Sequence, residues 1–134
     1  MRAPPERVFQ ALVDPAQRAR WIASMREGGD GAPLALGSVV QARRTAPTSR
    51  SEYRLTVRRL EPPRALEMDI VRNGDPAGRA GYDLAPAPEG TRVRAWAEAH
   101  LKGMQRLAAP MVAAGMQDEL AVDLASLRRH VESP

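Results

Sequence analysis

Hydrophobic residues follow a helical spacing at the N-terminal end of the chain. Pro4 and Pro5 suit the start of a helix, and the apolar residues that follow fall on one side of it: Val8, Phe9, Leu12 and Val13. The dipeptide Asp14-Pro15 then supplies a cap and a first helical position. The pattern therefore predicts two short helices that meet at this dipeptide, with Phe9 and Trp21 either in a minor core or at the mouth of a pocket.

The C-terminal end has the same kind of periodicity over a longer stretch. Its apolar residues recur at steps of four, three and four: Leu120, Leu124, Leu127 and Val131. This spacing predicts one long amphipathic helix from about Met104 to Glu132. Pro110 lies inside that range and predicts a bend or a start there.

Between the helical ends, apolar and polar residues alternate from Ser38 onward. The alternation predicts five strands separated by short turns, in the segments 38–46, 51–60, 64–72, 78–86 and 91–101. Consecutive strands with short connections form an antiparallel meander. The preceding stretch, 26–37, holds four glycines and a proline and predicts a mobile loop.

A sheet with one apolar face has to bury that face, and the long C-terminal helix is its available partner. The sequence thus predicts an α+β fold in which an antiparallel sheet packs on this helix. A length of 134 residues suits one domain covering 1–134.

Composition narrows the range of functions. The chain has no cysteine and two histidines, which argues against thiolate chemistry and a zinc cluster, so we expect no metal and no cofactor. Nineteen of its twenty basic residues are arginine, interleaved with acids, and aromatic residues make up 4%; we therefore read the net charge of +4 as a solvated surface and expect no nucleic-acid partner. Because no apolar run reaches about eighteen residues, we expect no membrane span and a cytoplasmic location.

Four stretches match one superfamily in their order and spacing: "APPERVFQALVDPAQRARWI", "VRRLEPPRALEM", "YDLAPAPEGTRVRA" and "LKGMQRLAAPMVAAGMQDELAVDLASLRRHVE". Together they resemble the START/Bet v 1-like superfamily, also called SRPBCC, which includes polyketide cyclase and dehydrase-like proteins. The resemblance covers nearly the whole chain. It implies a helix-grip fold, in which a curved sheet wraps around the last helix and leaves a ligand cavity between them.

Members of that superfamily have a strand directly before the first helix, whereas here only Met1 and Arg2 stand in its place. We therefore expect the first strand to be missing or truncated, with a start site assigned too late. The strands that it would join would then have unpaired backbone groups, which favour aggregation or exchange with another chain.

Strand alternation predicts the residues that line the cavity, since residues two apart share a face. The predicted ligand-binding residues are Tyr53, Leu55, Met68, Tyr82, Ala95, Ala97, Ala99, Met104 and Met111. Three successive alanines in the last strand leave room for a ligand, and methionines give an adaptable apolar lining. Close helix packing would also explain the alanines, and a core would also explain the methionines. Trp96 and His100 have the opposite parity, so we expect them on the outer face, where a homodimer could form.

No catalytic motif is present in the sequence: there is no nucleophile elbow, phosphate loop or His-Glu helix motif. The polar candidates for the cavity are Tyr53, Tyr82 and Arg44. Three functions stay open. The first is a non-catalytic carrier or sensor of a small hydrophobic molecule, the second is a polyketide cyclase or dehydrase-type enzyme, and the third is a protein-binding adaptor resembling chaperone co-activators.

Overall fold

The fold is a curved antiparallel sheet of six strands, β1 to β6, which pair in chain order. A computed structural model describes residues 1–44, 51–101 and 103–133, and for residues 104 and 105 the backbone alone. The elements in chain order are α1 (Pro5–Val13), α2 (Pro15–Trp21), β1 (Met25–Gly28), β2 (Val39–Arg44), β3 (Glu52–Glu61), β4 (Ala65–Arg72), β5 (Asp75–Ala87), β6 (Gly90–Ala99), a 3-10 helix (Gly103–Ala108) and α3 (Ala109–Glu132). This is the helix-grip architecture that the resemblance implied.

The two short helices form as the N-terminal pattern predicts. Asp14 caps α2, because its carboxylate accepts a hydrogen bond from the Ala16 backbone N–H at 3.0 Å. Trp21, at the end of α2, is 1% exposed, and its indole N–H donates to the Ala11 carbonyl at 2.7 Å. Phe9 is buried as well. Both aromatic residues therefore belong to the core, which is one of the two positions that the sequence left open.

The five predicted strands are confirmed as β2 to β6, and the turn predicted at 47–50 lies outside the described residues. Asn73 and Gly74 both have positive φ, at 49° and 87°, and join β4 to β5 in a two-residue hairpin, for which an Asn-Gly pair is well suited. Each strand pairs with its neighbour in the sequence, as a meander requires.

The prediction of a loop over the whole of 26–37 was wrong at its beginning. Met25–Gly28 forms β1, which pairs with β2 in the register Glu27 to Ala42. The strand has four residues and little apolar alternation, so the usual signal of a strand is weak. Pairing with β2 and a salt bridge to α2 hold it in place.

The long C-terminal helix forms as predicted, with its start near Pro110. A 3-10 helix runs over Gly103–Ala108 and α3 begins at Ala109, one residue before the proline. Leu127 and Val131 are 0% and 4% exposed, and they pack in the core with residues of α1 and the sheet. The N-terminal half of α3 is much more exposed, as Met111 shows at 79%.

The first residues of the chain run beside the start of β6. The Met1 amino group donates to the Thr91 carbonyl at 2.6 Å, and the Thr91 N–H donates to the Met1 carbonyl at 2.9 Å. The Thr91 hydroxyl donates to the Ala3 carbonyl at 2.7 Å. Met1 and Thr91 thus make the reciprocal pair of hydrogen bonds that is typical of antiparallel strands.

Candidate functional site

A cavity of about 960 Å³ lies between the concave face of the sheet and α3. Its volume is near the upper end of the range for small-molecule sites. The sheet supplies an apolar wall that includes Leu55, Leu66, Met68 and Ile70. The helix supplies Val112, Met116 and Leu120, which recur every four residues and so share one face of α3. The cavity is thus the space predicted between sheet and helix.

A buried ion pair lies at the end of the cavity next to α2. Both nitrogens Nε and Nη2 of Arg18 donate to the Glu27 carboxylate at 2.7 Å, and Nη1 donates to the Leu12 carbonyl at 2.7 Å. The side chains are 5% and 13% exposed. Burial alone would lower the pKa of Arg18, but the hydrogen bonds and the charge of Glu27 outweigh it and leave that pKa raised. The guanidinium is therefore charged and already fully engaged.

Asp123 of α3 ties the helix to the segment that joins α2 to β1. One oxygen of its carboxylate accepts the backbone N–H groups of Ala23 and Ser24 at 3.0 and 3.2 Å, and the other accepts the Ser24 hydroxyl at 2.6 Å. Asp123 is 9% exposed and lines the cavity. Three hydrogen bonds to one buried carboxylate position α3 over this end of the cavity.

Tyr82 of β5 lies among these charged groups. Its ring meets the Trp21 ring edge to face, with centroids 6.1 Å apart. Burial, first of all, raises the pKa of Tyr82 to about 12, and the nearby carboxylates of Asp123 and Glu27 act in the same direction against Arg18. The side chain is enclosed by protein but keeps accessible surface, because it borders the cavity. Its phenol is thus neutral across the physiological pH range.

A second polar group lies at the other end, where β2 and β3 meet α3. Nε of Arg44 donates to the Tyr53 hydroxyl at 2.8 Å, and Nη1 contacts the Glu119 carboxylate. The Arg44 guanidinium also lies 5.6 Å from the centre of the Tyr53 ring. The pKa of Arg44 is raised, because the hydrogen bonds and charges of Tyr53 and Glu119 outweigh its desolvation by burial. Arg44 was a polar candidate from the sequence. It lines the cavity, but its guanidinium is already paired with Tyr53 and Glu119.

Most of the predicted site residues border the cavity: Tyr53, Leu55, Met68, Tyr82, Ala97 and Ala99. Two do not. Ala95 lies directly opposite Tyr82 in the sheet, where the large ring occupies the inner face beside it. Met111 is 79% exposed, because it is one position away from Val112, which faces the cavity. The side chain of Met104 lies outside the described part of the chain.

Sequence reasoning missed three polar residues of the cavity, Arg18, Glu27 and Asp123, and it placed His100 on the wrong face. His100 follows the last residue of β6 and lines the cavity, since the alternation ends with the strand. Trp96 lies on the outer face as expected, with its ring against Gly81 of the neighbouring strand. Arg18 gave the available signal in the sequence: it is a charged residue at a buried position of a helix, between Pro15 and Trp21.

The chemistry of the cavity is that of hydrogen bonding within an apolar enclosure. Among the described residues, no group of three or more His, Asp or Glu side chains is placed to hold a metal ion. Within the same ranges, no helix is long and apolar enough to cross a membrane. The carboxylates of Glu27, Asp123 and Glu119 are already engaged, whereas the Tyr82 hydroxyl forms no hydrogen bond with any residue in the described part of the chain.

Known structures share this architecture. A protein from Arthrobacter aurescens superimposes with a TM-score of 0.75 at 19% identity, covering 100% of this chain and 83% of that chain. The Aha1 dimer from Colwellia psychrerythraea gives 0.70 at 20% identity, with 98% and 90% covered. DynU16, a putative protein in the dynemicin biosynthetic locus, gives 0.70 at 19% identity; the match covers 99% of this chain and 45% of that chain. At these identities the similarity shows the fold alone.

A comparison with curated proteins finds no match. A family model described as polyketide cyclase / dehydrase and lipid transport matches residues 1–132. Together with the helix-grip fold and its cavity, this match over nearly the whole chain shows that the protein belongs to that family, within the START/Bet v 1-like superfamily.

Proposed function

We propose that this protein binds a small hydrophobic molecule in the cavity between the sheet and α3, as a carrier or sensor. The observation that carries the proposal is the cavity itself: about 960 Å³, with a sheet wall of aliphatic side chains and a helix wall that includes Met116. An apolar enclosure with few polar groups is the usual form of a small-molecule site. The buried Arg18, Glu27 and Asp123 are already paired, so no catalytic acid–base pair is evident among the described residues.

A cyclase or dehydrase activity is the second candidate, and the observation that favours it is Tyr82. A phenol whose pKa is raised to about 12 stays protonated and could donate a hydrogen bond to a substrate carbonyl. Family membership and the biosynthetic setting of DynU16 point the same way. A protein-binding adaptor is the third candidate, for which the fold shared with Aha1 is the support.

The test fills the cavity from the sheet side. Ala97 of β6 borders the cavity and is half-buried, and leucine is a good strand residue, so Ala97→Leu should place three more carbon atoms in the open space. We expect it to weaken the binding of the neutral fluorescent probe N-phenyl-1-naphthylamine at least about tenfold, and to leave the free energy of unfolding unchanged or raised.

The matched control is Ala85→Leu, on the outer face of β5, where Ala85 pairs with Arg92 and does not border the cavity. It should leave probe binding unchanged. A parent protein that does not bind the probe, or an Ala97→Leu variant that loses about 1 to 3 kcal/mol through overpacking, would show a filled core instead of a binding site.

The cytoplasmic location stays a prediction, which fractionation of the native host cells would test.

A further inference from the structure

We infer that the ligand is an uncharged apolar molecule with a hydrogen-bond acceptor, such as a carbonyl oxygen, which receives the hydroxyl hydrogen of Tyr82. The inference rests on the proposed binding function and specifies the ligand class for the same cavity. It excludes an apolar molecule with a carboxylate head group, such as a fatty-acid anion, from the enclosed end.

The first observation is the state of the Tyr82 hydroxyl. It is enclosed by protein and borders the cavity, and no hydrogen bond from it is formed with any described residue. The hydroxyl is accessible from the cavity, and a ligand that fills the cavity would cover it. Covering a hydroxyl without supplying an acceptor costs free energy, which a ligand with an acceptor avoids. Since the phenol is neutral, it offers a hydrogen to the ligand.

The second observation is the charge around that hydroxyl. Arg18 faces two carboxylates, Glu27 and Asp123, so the enclosed end has one negative charge more than it has positive charges. All three hydrogen-bonding nitrogens of the guanidinium are used by Glu27 and the Leu12 carbonyl. An anionic head group would therefore meet net repulsion and find no free cation there.

The opposite end offers no better place for an anion. The Arg44 guanidinium is engaged by Tyr53 and Glu119. Arg72, the third arginine of the lining, is exposed at the mouth, where water screens its charge, and it donates to the Ser51 hydroxyl at 3.0 Å. The charges of the described lining thus disfavour a carboxylate, and the Tyr82 hydroxyl favours a ligand with a hydrogen-bond acceptor.

Three pyrene derivatives of nearly equal size test this selection: 1-acetylpyrene, 1-ethylpyrene and 1-pyrenecarboxylate. Titrations that follow pyrene fluorescence at pH 7.5 should give the ketone the highest affinity, about threefold to tenfold above the ethyl compound, which is the range for one net hydrogen bond. The carboxylate should bind most weakly. Tyr82→Phe should reduce ketone affinity to that of the ethyl compound and leave ethyl binding unchanged.

Tyr53→Phe is the matched control, since that hydroxyl is already paired with Arg44. It should leave the preference for the ketone intact. If none of the three compounds binds, the proposed function itself fails. If 1-ethylpyrene binds and the ketone binds no better, or the carboxylate binds best, the cavity is a ligand site and the inferred ligand class is wrong.

Discussion

Replacing Glu27 with alanine is expected to lower the free energy of unfolding by about 3 to 5 kcal/mol. The change removes the one carboxylate that engages the buried Arg18 guanidinium through two hydrogen bonds. The Arg18 side chain is 5% exposed, so water can replace little of what the Glu27 carboxylate supplies. A buried charge that loses its partner is much more costly than a lost surface pair, for which the median is about 0 to 1 kcal/mol.

Urea unfolding of the parent and variant would measure this loss. Arg26→Ala is the matched control, because Arg26 is the exposed neighbour in the same strand and should change stability by less than about 0.5 kcal/mol. The double variant Arg18→Met/Glu27→Leu should recover much of the loss, since it removes both charges together. A Glu27→Ala loss no larger than that of the control would show that water reaches the guanidinium.

Gly78→Ala is the second change with a large expected effect, roughly 3 kcal/mol of destabilisation. Gly78 has φ of 147°, which an L side chain rarely adopts. A Cβ atom added there would overlap the backbone carbonyl oxygen of Glu98 in β6, and backbone cannot move aside as a side chain can. The glycine lies at the irregularity between Ile70 and Val71, where β4 changes register against β5.

The control for this prediction has the opposite sign. Gly115 lies within α3, and an added Cβ would meet no atom within 4 Å. Gly115→Ala should therefore stabilise the protein by about 0.5 to 1 kcal/mol, through the helix propensity of alanine. Thermal melts of both variants would give the two values. Equal effects at the two positions would mean that the sheet adjusts to the side chain at Gly78 without cost.

The helices and five strands could be predicted from the sequence because their signals are local. Leu127 and Val131 lie on one face of a helix by spacing alone, and Asn73-Gly74 sets its hairpin by the conformations that its two residues favour. β1 could not be predicted in this way. Its strand depends on pairing with β2 and on the Glu27 contact with α2, and neither partner is visible within the segment itself.

The apolar part of the cavity was predictable from strand parity, which correctly placed Leu55, Met68 and Tyr82 along the cavity wall. Parity could not show how far the cavity extends, so Ala95 was included although the Tyr82 ring lies beside it. On a helix, the phase determines which of two neighbouring residues faces the cavity. On α3, Val112 and Met116 face it and Met111 does not. The charged end of the cavity, with Arg18, Glu27 and Asp123, combines residues of α2, β1 and α3. These elements come together only in the complete fold.

The order of contacts along the chain also bears on how the protein folds. Each strand pairing joins neighbours in the sequence, so the sheet can grow one hairpin at a time with little loss of chain entropy at each step. The contacts that close the molecule are far apart in the sequence: Arg2 and Glu132 are separated by 130 residues, and Ser24 and Asp123 by 99. Closing such long loops is slow relative to hairpin formation. The cavity, whose charged end depends on Asp123, would therefore be completed after the sheet.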